Sequence, residues 1–331
     1  MPRVTVVIAT YNRNERLQRC LEGVLSQTFR DFEVVVVDDR SDPPVDFRTM
    51  VPCTRSIPIH LVRATSNGGP GRARNLGVAA STSEFLAFLD DDVVPDPSWL
   101  AKHVGFAEGT EQQLVQFGPL AAPPEWLPTP WNLWEAHTLE LEYNRMRRGV
   151  YEPTWRQFFT GNAFLRRSLF TTAGGFDERF TRAEDIELGY RLERAGARFA
   201  FVSGAVGWHF AERSLESWLA IPRDYARFDV VMDQIHPEMN WVRFVEFQQR
   251  RRHRLARFGG FVLGSLGAES AGVRCSVKLA RLTHGRGIRF LTVPLLSFAY
   301  GVEYRRALRE ALGGVSRNEG FAHGPNGPAS N

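Results

Sequence analysis

The sequence predicts an α/β fold organised around a mostly parallel sheet with flanking helices, and three observations carry that expectation. Apolar, β-branched runs recur at Val4–Ala9, Phe32–Val37 and Phe85–Leu89. A helical spacing of apolar residues separates the first two. Each run stops at a polar or acidic cluster.

VTVVIA (Val4–Ala9) has no polar alternation, which is the pattern of a strand buried on both faces. Leu17, Cys20, Leu21, Val24 and Leu25 then repeat at i, i+3, i+4, i+7 and i+8, one face of an amphipathic helix. FEVVVV (Phe32–Val37) is a second buried strand, and strand–helix–strand in this order makes a parallel βαβ unit. HLVR around Leu61 reads as a third strand. A Gly-rich turn, Asn67–Gly71, leads to a small-residue helix near Ala73–Ala80. FLAFL (Phe85–Leu89) is the next buried strand. Residues 119–157 are dense in Pro and Trp, with a helix expected from Leu133 to Arg148, and read as an insertion covering the site. From Phe158 the α/β character returns. A helix at Asp185–Ala195 opens with acids and stops before Gly196, as helix termini prefer. The expected layout is a catalytic domain over 1–212, a mostly helical basic region over 213–312 and a disordered tail over 313–331.

The chain has 331 residues, 43% of them hydrophobic, enough for one large domain and an appendage. Its three cysteines lack metal-ligand spacing, so neither a disulfide framework nor a zinc site is suggested, and a reducing compartment fits. No signal peptide or membrane-spanning run is expected, and a cytoplasmic protein follows from that reading. The net charge of +4 is unevenly placed: Trp241–Glu310 holds 14 basic against 4 acidic residues, the remainder 27 against 33.

In doubly wound sheets, ligands bind beyond the carboxyl ends of the strands. Three such ends carry Thr10-Tyr11-Asn12, Asp38-Asp39 and Asp90-Asp91-Asp92, so these clusters should converge. Three adjacent carboxylates repel unless a cation or positive side chains neutralise them, and their oxygens suit Mg²⁺ or Mn²⁺. The alternative on these residues alone is a solvated acidic turn.

The blocks VTVVIATYNR, VVVVDDRSD, NGGPGRARNLG, FLDDDVVPD, TGNAFLRRSLF, GGFDERF and AEDIELGYRLERAGARFAF, followed by Trp208-His209, occur in this order. Together they resemble the family 2 glycosyltransferases of GT-A fold, over about residues 3–210. The resemblance implies an inverting transfer of a sugar from a nucleoside diphosphate, UDP foremost, to an acceptor hydroxyl. Cell-surface glycan, glycolipid or secondary-metabolite glycoside synthesis would be its setting. It implies that Thr10, Tyr11, Asn12 and Asp39 hold base and ribose, with Asn67 and Arg74 near the nucleotide. Asp90-Asp91-Asp92 matches the family's D-x-D element: Asp92 on the metal, Asp90 sharing it or binding ribose, Asp91 on the donor sugar. Glu184-Asp185 resembles the family's E-D pair, with Asp185 as the base that an inverting transfer requires. His209 resembles a further metal ligand, and Gly161, Asn162, Glu184 and Trp208 fall on the acceptor side or in support.

Other classes fit less well. A dinucleotide-binding dehydrogenase needs G-x-G-x-x-G after the first strand, where ATYNRN stands. A haloacid-dehalogenase phosphatase needs a suitably placed downstream lysine, and Lys102 and Lys278 are the only lysines. A nucleotidyltransferase usually opens with a Gly-rich, Arg-containing loop. A non-catalytic sugar-binding homologue would be expected to lack an aspartate or the base. The basic region after Trp241 admits two readings: a peripheral contact with an anionic membrane, bringing in a lipid-linked acceptor, or a helical subdomain packed on the catalytic domain or a second subunit. Nucleic acid is not an expected partner.

Overall fold

The computed structural model describes residues 1–46, 50, 57–110, 113–252 and 268–315. Cys53, the part of the arginine-rich stretch from 253 to 258, and the tail from 316 onward lie outside the described residues. The chain divides after Arg213 into two compact units.

In the first unit the elements are β1 (Val4–Thr10), α1 (Asn14–Leu25), β2 (Phe32–Asp38), β3 (Ile59–Arg63), α2 (Gly69–Ala79), β4 (Phe85–Asp90), β5 (Val93–Pro95), α3 (Trp99–Glu108), β6 (Leu114–Phe117), β7 (Leu120–Ala121), α4 (Pro130–Arg147), β8 (Asn162–Arg166), α5 (Arg167–Thr172), α6 (Glu184–Arg194), β9 (Arg198–Phe201) and β10 (Gly207–His209). Seven strands form one sheet in the order β3-β2-β1-β4-β8-β6-β9. The first four are mutually parallel, and β8 runs antiparallel to both β4 and β6. The alternation-free strand sequences have a physical cause. On one face Val4, Val6 and Ile8 of β1 pack with Leu17, Cys20, Leu21 and Val24 of α1. On the other, Val35 and Val37 meet Ala73 of α2. Helix α2 is small-residued because it lies close: a Cβ at Gly77 would sit 2.5 Å from a Val7 methyl.

Register sets the site. Thr10 of β1 stands opposite Asp38, and Ala9 opposite Asp90, so three strand ends finish level with one another. A second, three-stranded sheet in the order β5-β10-β7 follows the acidic cluster. Its strands are two or three residues long, too short for any periodic signal in sequence. Helix α4 of the Pro- and Trp-rich segment is tied to the chain just beyond β10. Trp131 Nε1 donates to the Arg213 carbonyl at 2.7 Å and Asn132 Nδ2 donates to the Ala211 carbonyl.

The second unit contains helices α7 (Leu215–Ile235), α8 (Trp241–Arg252), α9 (Glu269–Gly285) and α10 (Arg289–Val315). Asp229 of α7 joins three of them, accepting from Trp241 Nε1 and from the Tyr304 hydroxyl at 2.6 Å each. Burial of Asp229 outweighs these two bonds and pushes its carboxyl up to about 6. Pro294 lies inside α10. It stands in the second turn, where the missing N–H deprives only the exposed Phe290 of a helical partner for its carbonyl. Among the described residues no helix is long and apolar enough to cross a membrane.

Candidate active site

The carboxyl ends of β1, β2 and β4 gather most of the residues singled out in sequence. Asp39, the residue after β2, is buried, and its carboxylate caps the start of α2. It accepts from Gly68 N at 3.0 Å and Gly69 N at 2.8 Å, while Asn67 Nδ2 donates to its carbonyl at 3.2 Å. Burial raises the Asp39 pKa, and the two amides partly offset this. Asp39 N donates to the carbonyl of Thr10 at 2.9 Å, and the next residue, Tyr11, is half exposed, with a ring face available for stacking. Asn12 takes a left-handed conformation, φ 55°, at the turn off β1. Its N–H donates to Ser41 Oγ at 2.9 Å, and its side-chain oxygen accepts from Asp42 N at 2.8 Å. That pair of bonds locks the loops after β1 and β2 together.

The three aspartates at the end of β4 point to three different partners. Asp90 accepts from Arg74 Nη2 at 2.7 Å. Asp91 is buried, accepting from Thr10 Oγ1 at 2.7 Å and Arg13 Nη1 at 3.0 Å. Burial pushes its carboxyl up to about 6, against the pull of Arg13. Asp92 faces His209, whose Nε2 lies 3.6 Å from it. The small sheet causes this meeting: His209 of β10 pairs with Val93 of β5, and Phe210 N donates to the Asp92 carbonyl at 2.9 Å. Arg13 and Arg16 each stand 3.7 Å from the other Asp92 oxygen. These two arginines were not singled out in sequence. The available signal was TYNRNER, where cations at the start of α1 follow directly on a strand end.

Helix α6 supplies the fourth wall. Its N-cap, Ala183, is held at φ 60°, a conformation that a non-glycine residue reaches only under constraint. The next residue, Glu184, is buried and accepts from Arg74 Nη1 at 2.8 Å. Arg74 therefore bridges Asp90 and Glu184 and binds α2, β4 and α6 into one polar lattice. Asp185 is partly exposed and accepts only the N–H of Ile186, at 2.8 Å. Burial, then the charge of Glu184, push its carboxyl up to about 7. Unlike Asp90, Asp91 and Glu184, it has no arginine in hydrogen-bond contact.

The supporting residues divide in two. Gly161 makes room: a Cβ there would lie 2.7 Å from Asp90 Oδ2. Asn162 is wholly buried, and its side chain faces only protein. It accepts from Trp99 Nε1 at 2.7 Å and donates to the Pro119 and Ala205 carbonyls. It therefore props the loops leading to β7 and β10 and presents nothing to an acceptor. Trp208 is half-buried in the small sheet, paired across to Val94.

As a metal site, the donor set offers one carboxylate and one imidazole side by side, Asp92 and His209. Among the described residues no group of three or more His, Cys, Asp or Glu is placed to hold an ion. Two protein ligands suit Mg²⁺ or Mn²⁺, which commonly complete their shells with substrate phosphate oxygens and water.

Comparison with known proteins gives a consistent result. The model of Glycosyl transferase family 2 matches residues 5–173. Pre-mycofactocin glycosyltransferase of Mycobacterium tuberculosis is 31% identical over 237 residues, covering 71% of this chain and 48% of that protein. This chain thus spans about half the length of that relative. Among solved structures, the mannosyltransferase PcManGT from Pyrobaculum calidifontis, in complex with GDP-Man and Mn²⁺, superposes with TM-score 0.58 at 18% identity, covering 92% of this chain and 87% of its own. Residues 1–349 of TarS from S. aureus, in complex with UDP-GlcNAc, give 0.53 at 19% identity, covering 94% and 92%. At such identities the likeness is one of fold.

Proposed function

This chain belongs to Glycosyl transferase family 2 and carries a GT-A-like fold, and on that premise we propose that it is an inverting, metal-assisted glycosyltransferase. The donor is a nucleoside diphosphate sugar, with UDP the first nucleotide to try, and the acceptor is a hydroxyl. The observation that carries the reading is Asp185. A carboxylate without an ion-pair partner, set at the start of α6 with its pKa raised, is suited to accept a proton near neutral pH.

Asp39, with Tyr11 and Asn67 nearby, forms the nucleotide end of the site. The acceptor hydroxyl attacks the anomeric carbon while Asp185 takes its proton. The bond from that carbon to the diphosphate oxygen breaks, and the electron pair leaves with the diphosphate. Asp92 and His209 would hold the metal, which neutralises charge on the departing group when bound. Arg13 and Arg16, beside Asp92, add positive charge at the same place. Asp90 and Glu184 are occupied by Arg74, Asp91 by Arg13 and Asp39 by the amides of Gly68 and Gly69, so none of these four carboxylates stands ready as a nucleophile. That favours one in-line displacement and inversion.

A thermal-shift panel of UDP, GDP, dTDP and CMP sugars, with and without Mn²⁺, tests the binding half, because a ligand of the native state raises its stability in proportion to ln(1 + [L]/Kd). Anomeric coupling constants of the product test the chemistry. Absence of any nucleotide-dependent shift, or a product retaining the donor's configuration, overturns this reading.

A further inference from the structure

The catalytic reading leaves the far end of the chain unused. Helices α9 and α10 form a hairpin closed by a tight turn, with Gly287 at φ 72° and Ile288 N donating to the Thr283 carbonyl at 2.8 Å. Contacts along its length pin the two helices. Ser276 Oγ donates to the Leu295 carbonyl at 2.7 Å, and the Thr283 and Thr292 hydroxyls are 2.9 Å apart. Val273, Val277, Ala280, Leu296 and Ala299 are buried. Pinned this way, the hairpin leaves other residues outside. Leu279, Leu282, Phe290 and Leu291 are exposed, Phe290 to 77%. Exposed beside them are Arg274, Lys278, Arg281, Arg286 and Arg289. From 270 to 302 the sequence has five cations and no acidic residue. Further along the two helices Arg309 pairs with Glu269 at 2.7 Å and Arg306 with Glu310 at 3.1 Å.

We propose that the closed end of the α9–α10 hairpin is a docking surface for an anionic lipid bilayer. Charge complementarity selects an anionic partner. The interleaved aliphatic and phenyl side chains select one with an apolar layer beneath its charge, since a nucleic acid backbone offers no place for exposed leucines. The attachment is peripheral, with Phe290 and Leu291 entering the headgroup region and the cations holding the lipid phosphates. A surface of this kind would present the enzyme to lipid-linked acceptors, but the binding itself does not depend on glycosyl transfer, so the two proposals fail separately.

Co-sedimentation of the full chain with vesicles tests it, using phosphatidylcholine alone or with about one-third phosphatidylglycerol, at low salt and at about 0.5 M NaCl, where screening is strong. The expected result is binding to anionic vesicles only, released by salt. Arg286→Gln with Arg289→Gln should weaken partitioning by roughly twenty- to thirtyfold, about fivefold per charge. Phe290→Ser should weaken it further, with unchanged melting temperature because these side chains are exposed. Equal binding to neutral vesicles, no binding at low salt, or variants that bind like the parent would overturn the proposal. So would a dimer that Phe290→Ser dissociates without any vesicle binding, which assigns the face to a second copy. Oligonucleotide binding in place of vesicle binding would assign it to nucleic acid.

Discussion

Replacing Arg74 by methionine tests the polar lattice most directly. Arg74 is buried and holds Asp90 at 2.7 Å and Glu184 at 2.8 Å. Methionine keeps the stem volume and removes the charge. Breaking a buried ion pair by deleting one partner costs about 3–5 kcal/mol, because the other charge stays buried and uncompensated. The two carboxylates do not contribute equally. The Asp90 side chain is 38% exposed, so water can take over much of its solvation, whereas that of Glu184 is 10% exposed and has no such recourse. The loss should therefore lie at the low end, about 3 kcal/mol. Arg74→Lys keeps one charge but cannot fork to two carboxylates, so it should lose less. A second effect separates this account from simple loss of packing. Arg74 lowers the pKa of Asp185 while Glu184 raises it, so removing the arginine should drive Asp185 higher still. Urea denaturation gives the stability, and the acid limb of residual kcat/KM against pH gives the electrostatics. A destabilisation below about 1 kcal/mol, or an acid limb that stays put or moves to lower pH, would refute the reasoning.

Four further outcomes are expected. Asp185→Asn should fold and bind donor normally yet lose about 10²–10⁴-fold in turnover. In the parent, kcat/KM should fall as pH drops below about 7, where Asp185 takes up a proton; a flat profile between pH 5 and 8, roughly the span around that value, would remove Asp185 as the base. Asp92→Ala should abolish the metal dependence of nucleotide binding in calorimetry, and unchanged dependence would exclude Asp92 as a ligand. Asp229 titrates near 6 in the fold against 3.8 ordinarily, so its contribution favours the protonated fold and is lost as pH rises from about 4 to about 6. Chemical denaturation across that window should show the parent losing up to about 2–3 kcal/mol relative to Asp229→Asn, and parallel curves would show that the burial is relieved.

Much of the site is legible in the sequence, for a local reason. Buried parallel strands impose uninterrupted apolar runs, and a ligand site at their carboxyl ends must begin where those runs stop. Val4–Ala9, Phe32–Val37 and Phe85–Leu89 therefore pointed to Thr10, Asp39 and Asp90–Asp92 without knowledge of the fold's details. Helix α6 was equally visible, because its acids and Gly196 mark its ends. Interactions between distant segments were not visible in this way. Asp92 meets His209 through strands of three residues, too short to carry a pattern, so only the family resemblance put the two on one metal. Arg74 reaches Glu184 across 110 positions, and its sequence context does not say whether it faces solvent or two buried carboxylates. Asn162 lies in the same motif as Gly161, yet one clears space for Asp90 while the other props loops from inside the core. Sequence order reports which residues end a strand. Which of those ends share a proton, an arginine or an ion depends on register and on close contacts between elements, and only the packed chain supplies these.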